Sequence, residues 1–187
     1  IFIAKGISIY AVELKKAGEK TPEADKFVME TLFMTITNAN FDDAAFVRKI
    51  KAGLAVRDGL KNTAAKKGVK VDTKFEGTTW TAESETDFAA KAVSIGILST
   101  ANEDIRSLRQ LVVLGVKGMA AYAEHAYNLG LQDDEVFTFM EKALAATTDD
   151  TLDGGALTAL VLETGKYGVT TMALLDKANT SAYGNPE

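Results

Sequence analysis

The stretch VKGMAAYAEHAYNLG, residues 116–130, decides how this chain is read, because AKGISIYAVELKKAG, residues 4–18, repeats its plan. Lys, Gly, Tyr, Ala and Gly recur in the same order and spacing, and Lys5-Gly6 corresponds to Lys117-Gly118 at an offset of 112. Outward from the second copy, Asn102-Glu103-Asp104 has the form of an N-cap followed by acids that complement the helix dipole. No breaker intervenes before Gly130, a C′ glycine, so the spacing predicts a helix of about 28 residues, roughly 40 Å long. Leu108, Leu111, Gly115, Gly118, Tyr122, Ala126 and Leu129 recur at spacings of three and four and form its expected apolar stripe. Its glycines each cost about 1 kcal/mol in helix propensity and are read as points of tight helix packing.

Two more helices should follow. One runs from about Asp133 to Thr147 and buries Val136, Phe137, Met140 and Leu144. The other runs from about Gly155 to Ala178, with Leu157, Leu160, Val161, Tyr167, Val169, Met172 and Leu175 on its apolar face. The front of the chain predicts helices over 1–17, 22–37 and 41–63, with Pro22 at a first helical position after Thr21. FVMETLFMTITN (27–38) aligns with TFMEKALAATTD (138–149) at an offset of 111, and the segments 41–63 and 152–180 both end in Asn-Thr. Three matches in one order predict an all-α fold of two duplicated three-helix bundles, 1–67 and 102–187. Residues 68–101 join them as an irregular connection, with a short hairpin at Glu76-Gly77 and a short helix over 84–94 that faces Phe88, Ala92 and Val93 inward. Trp80 is expected to pin this connection to a bundle.

Composition fits that picture: 187 residues, 47% hydrophobic, 25% charged, and only Pro22 and Pro186 to interrupt helices. A net charge of −5 with scattered Lys and Arg argues against nucleic acid, which requires a concentrated basic surface. No apolar run reaches the length of a membrane span, and Lys5 interrupts the one segment, IFIAKGISIY, that resembles a signal core. The absence of cysteine excludes disulfides, thiol nucleophiles and cysteine-held iron–sulfur clusters within these residues.

KGMAAYAEHAYNLG, TITNANFDDAAF, TWTAESETDFAAKAVSIGILSTANEDIRSLR and ALLDKANTSAYGNPE, in this order, resemble the N-terminal helical domain of the hybrid cluster (prismane) protein family, the hydroxylamine reductases. The resemblance spans the chain and implies a helical domain of two three-helix bundles within a three-domain cytoplasmic enzyme. It further implies two cofactors, a 4Fe-4S or 2Fe-2S cluster held by upstream cysteines and a hybrid iron–sulfur–oxygen cluster held by later domains. Implied partners are those remaining domains and an electron donor. The implied activity is reduction of hydroxylamine to ammonia, with nitric oxide reduction as a further role. Ile1 corresponds to Val113, inside the second copy's helix, so the chain is expected to be a piece whose first helix lacks about ten residues. Its exposed interdomain surface should then self-associate. A standalone helical interaction module and the helical domain of a carbon monoxide dehydrogenase are the alternatives.

No family cluster ligand maps onto a position here, so catalytic, cofactor-binding and metal-binding residues are all expected to be none. His125, the single histidine, corresponds to Glu13 in the first copy and reads as a boundary position. Asp42-Asp43, Asp133-Asp134-Glu135 and Asp149-Asp150 read as helix-start acids. Met29, Met34, Met119, Met140 and Met172 read as core fillers.

Overall fold

The computed structural model describes residues 1–39 and 41–185, and Pro186 lies outside them. Among these residues the chain forms seven α-helices and no strand. They are α1 (Phe2–Lys16), α2 (Pro22–Thr37), α3 (Asp43–Lys67), α4 (Glu85–Ser94), α5 (Glu103–Asn128), α6 (Asp134–Ala146) and α7 (Gly154–Tyr183). Local chemistry sets most boundaries. Asp42 accepts the Ala45 N–H at 2.9 Å, Asn102 the Ile105 N–H at 3.0 Å, and Asp153 the Ala156 N–H at 2.8 Å, each satisfying a donor that the first helical turn leaves free. Gly68 and Gly130 end α3 and α5 with φ of +68° and +82°, a conformation glycine adopts without a Cβ penalty.

The helices pack in a repeating scheme. α1 lies on α3 as α5 lies on α7, and across the halves α1 meets α6 while α2 meets α5. One core results, in which Ile7, Leu14, Met29 and Leu32 share a cluster with Val116, Met119, Met140 and Leu144. Fully burying each such side chain contributes about 1.5–3 kcal/mol. Val136, Phe137, Met140 and Leu144 are buried as the α6 periodicity predicts.

The longer helices match their expected stripes only in part: Ala126 of α5 and Leu157 and Leu160 of α7 are buried as predicted. On α5 the buried residues are Val112, Val113, Val116, Met119, Ala120, Ala123 and Ala126, whereas Leu111 and Tyr122 are exposed. The helix is apolar on two sides, and α2, α6 and α7 pack against the side that carries the buried set. On α7 the buried set is Leu157, Leu160, Thr164, Thr171 and Ala178, leaving Val169 and Met172 exposed. Thr164 and Thr171 donate to the carbonyls of Leu160 and Tyr167, both at 2.8 Å. Their hydroxyls are thus satisfied within the helix, and the residues can be buried where a hydropathy pattern reads polar. Met172 is therefore not a core filler; Met29, Met119 and Met140 are, and Met34 is half-buried.

Glycine packing also divides unexpectedly. A Cβ on Gly115 would lie 2.5 Å from Thr164 Cγ2, yet Gly118 faces open space. Its first-copy equivalent, Gly6, is the crowded one: a Cβ there would lie 2.1 Å from the Gly77 carbonyl oxygen. Gly77 belongs to a 3-10 turn, Glu76–Thr78, which replaces the expected hairpin. Trp80 does pin the connection, edge-on to Phe2 at 6.0 Å and tilted on Phe88 at 6.1 Å. The buried Arg57 of α3 donates to the Trp80 carbonyl. On α4 only Phe88 turns inward; Ala92 and Val93 are exposed, and among the described residues no helix covers that side.

Candidate functional site

The residues singled out from sequence do not converge. His125 sits exposed on α5 with its ring edge-on to Phe33 at 5.4 Å. Asp42 and Asp133 are N-caps, and Asp43, Asp134 and Glu135 occupy first turns. Asp149 and Asp150 do not start a helix, since Asp153 caps α7. Asp149 instead closes a turn by accepting the Thr151 hydroxyl at 2.6 Å and N–H at 2.9 Å. Those two bonds hold its carboxyl below the usual range. Asp150 pairs with Arg109 at 2.9 Å.

Two constellations that sequence reading missed are built by the tertiary fold. The first joins three helices. Lys15 of α1 lies 2.7 Å from Asp25 of α2 and 2.8 Å from Glu141 of α6. Glu141 is fully buried, and neither of its oxygens has an aligned hydrogen-bond partner. Burial pushes its carboxyl well above the ordinary range; the Lys15 ammonium opposes that rise and the Asp25 carboxylate adds to it. The matching glutamate of the first copy, Glu30, stays at the surface beside Lys49 at 2.8 Å. Identical Met-Glu pairs thus acquire opposite environments, and nothing local distinguishes them.

The second is a cavity of about 640 Å³ between α1, α5 and the segment after α4. Lys5, Arg106, Arg109 and Lys117 all line it. Burial and the neighbouring Arg109 push Lys5 down to about 8, and burial also lowers Lys117. Lys5 and Lys117 occupy the same place in the two sequence copies, a signal present in the repeat but silent about their meeting across one cavity.

The Prismane/CO dehydrogenase family matches residues 1–187. The chain belongs to this family. Over its whole length it is 55% identical to a hydroxylamine reductase of Desulfitobacterium hafniense (strain DSM 10664 / DCB-2), of which it covers 34%. It is 50% identical, across 211 aligned residues, to a hydroxylamine reductase of Clostridium botulinum (strain ATCC 19397 / Type A), of which it covers 37%. The chain thus spans about a third of the length of these curated relatives.

Membership of the Prismane/CO dehydrogenase family raises the question of whether these residues can hold an iron–sulfur cluster. They do not fit one. Such clusters are bound mainly by cysteine thiolates, the sequence has none, and no three His, Asp or Glu residues gather as a metal-binding group among the described residues. Among the described residues, no helix is long and apolar enough to cross a membrane.

Proposed function

We propose that this chain is the helical scaffold of a cytoplasmic oxidoreductase acting on hydroxylamine, whose clusters are held by parts of the parent protein outside these residues. The reaction takes two electrons and two protons to convert hydroxylamine to ammonia and water, with breaking of the N–O bond. The observation that carries the reading is the 55% identity sustained over all of this chain to one third of a hydroxylamine reductase. A conserved activity would explain such identity better than a shared bundle, because helical packing alone tolerates extensive substitution.

The scaffold's task is mechanical: to present surfaces on which cluster-bearing segments are packed. Apolar side chains that no described residue covers support this. Leu111, Leu114, Leu162, Val169 and Met172 on α5 and α7 are each more than half exposed, and Val93 and Leu98 on and after α4 are 87% and 78% exposed. Patches of this kind mark interaction surfaces, here for the remaining two thirds of the parent. Nitric oxide reduction is a second activity of the same proposed centre.

The test is anaerobic purification of the full-length protein, with iron content, hydroxylamine-dependent oxidation of a reduced viologen dye and ammonium yield all measured. Bound iron with ammonium formed in step with dye oxidation is the expected result. Carbon monoxide oxidation without hydroxylamine turnover would move the protein to the other arm of its family. A protein without iron and without turnover would leave a helical interaction module.

A further inference from the structure

The connection between the two halves crosses α1 at Gly6. A Cβ there would lie 2.1 Å from the Gly77 carbonyl oxygen, so the 3-10 turn Glu76–Thr78 rests directly on helix backbone. One helical turn to either side, Phe2 packs on Phe75 at 5.2 Å and on Trp80 at 6.0 Å, and the Tyr10 hydroxyl donates to the Thr78 carbonyl at 3.4 Å. Phe2, Gly6 and Tyr10 stand four residues apart and share one face of α1. The offset of 112 that matches Gly6 to Gly118 also matches Phe2 to Leu114 and Tyr10 to Tyr122. α5 therefore carries an equivalent face. On it Leu114 is 59% exposed, Tyr122 is 43% exposed, and a Cβ on Gly118 meets nothing within 4 Å.

The neighbouring helices keep the same register. α1 meets α3 where a Cβ on Gly53 would touch Ile3, and α5 meets α7 where Gly115, the counterpart of Ile3, adjoins Thr164. One turn further along, α3 offers Arg57, which donates to the carbonyls of Gly77 and Trp80. At the matching place α7 offers Gly168, where a Cβ again meets open space. Gly118 and Gly168 each cost about 1 kcal/mol of helix propensity relative to alanine, and neither is needed for the contact between α5 and α7. The place where the first half receives backbone is thus kept in the second half, and kept open.

We propose that the face Leu114–Gly118–Tyr122 of α5, with Gly168 of α7 beside it, seats a second backbone turn supplied by a segment of the parent protein outside these 187 residues. The proposal rests on the scaffold reading only for the existence of that further chain, of which these residues span about a third in the relatives. The occupant belongs to the same polypeptide, as the turn on α1 does, and the seat dictates its chemistry. One carbonyl approaches Gly118 as that of Gly77 approaches Gly6. An apolar side chain flanking the turn packs on Leu114, and a second carbonyl accepts the Tyr122 hydroxyl. Gly168 stands where Arg57 clasps the first turn, so a side chain of the incoming segment fills that space. Exposed apolar side chains around a backbone-accessible glycine are then a docking seat and not a defect of the surface.

The experiment is hydroxyl-radical footprinting of the full-length protein, read by mass spectrometry at the two equivalent tyrosines. Exposures of 3% for Tyr10 and 43% for Tyr122 would make Tyr122 react severalfold faster if nothing covered α5. With the turn seated, Tyr122 should be protected to the level of Tyr10. Gly118→Leu, which the open space of the scaffold alone accommodates, should block the turn and restore rapid oxidation of Tyr122 while leaving Tyr10 unchanged. Photoreactive benzoylphenylalanine in place of Tyr122 identifies the occupant: the expected cross-link joins it to a peptide of the same molecule outside residues 1–187. Rapid oxidation of Tyr122 in the wild-type protein, indifference of its oxidation to Gly118→Leu, or cross-links confined to residues 1–187 or formed between two copies would each overturn the proposal. The wild-type footprint decides by itself should the variant fail to fold. No readout depends on iron content or hydroxylamine turnover, so failure here and failure of the proposed activity are told apart.

Discussion

Replacing Lys15 by methionine tests the buried triad most severely. The wild-type ammonium lies 2.7 Å from Asp25 and 2.8 Å from Glu141, with side-chain exposures of 17%, 13% and 1% for Lys15, Asp25 and Glu141. Lys15→Met preserves the stem's packing and leaves two carboxyl groups facing each other at the junction of α1, α2 and α6. Breaking a buried pair in this way costs about 3–5 kcal/mol. Protonation of Glu141 limits the loss by removing one of the charges, so the lower end of that range applies. For a chain of this size each kcal/mol moves the melting temperature by about 2–4 °C, so about 3 kcal/mol becomes a fall of about 6–12 °C. Glu141→Gln should cost less, because Lys15 keeps Asp25 as a partner at 2.7 Å. The pH dependence has a definite sign. Burial raises the folded carboxyl above its ordinary 4.5, so the folded state holds the extra proton between the two values. Stability from this group is therefore complete below pH 4.5 and is lost as pH rises through the raised value; Glu141→Gln should flatten that slope. Thermal melts of the 187-residue chain by circular dichroism, taken between pH 4 and pH 9, measure both effects. A Lys15→Met melt within about 2 °C of wild type at pH 7, or an equal fall in Glu141→Gln, would refute the reasoning.

Gly6→Ala and Gly118→Ala, equivalent in the repeat, should act in opposite directions. The first drives a methyl into the Gly77 backbone and should cost about 1–3 kcal/mol or more, while the second meets open space and should gain up to about 1 kcal/mol; urea titration of both variants reads the signs. Asp153→Ala removes the cap bond to Ala156 and should lower stability by about 1 kcal/mol by the same titration. The 187-residue chain should self-associate through its uncovered α5 and α7 side chains, and Leu162→Lys with Val169→Glu should reduce that association in sedimentation velocity runs. His125→Ala in the full-length protein should leave hydroxylamine turnover unchanged in the viologen assay, since the ring contacts only Phe33 among the described aromatic residues.

The local features of the fold were legible in the sequence because they depend on a few consecutive residues. Asp42, Asn102 and Asp133 each cap a helix through a donor two or three positions ahead, and Gly130 ends α5 by its own φ; sequence reading missed Asp153 as the cap of α7 and Gly68 as the end of α3. Composition likewise ruled out cysteine-held clusters without reference to any fold. Three-dimensional packing decided what periodicity could not. α5 carries two apolar sides, and only the positions of α2 and α7 determine that Val112 and Val116 are covered while Leu111 and Leu114 are not. Threonines 164 and 171 read as polar, but each satisfies its hydroxyl inside α7, and Thr164 sets its methyl against Gly115. Glu30 and Glu141 follow the same Met residue in the two copies, and α1 buries only the second. Lys5 and Lys117 stand 112 positions apart, and the cavity they share is created by helices that the sequence places in separate halves. Burial and charge proximity are properties of neighbours across the whole chain, so a linear pattern can identify which side chains are available but not which of them meet.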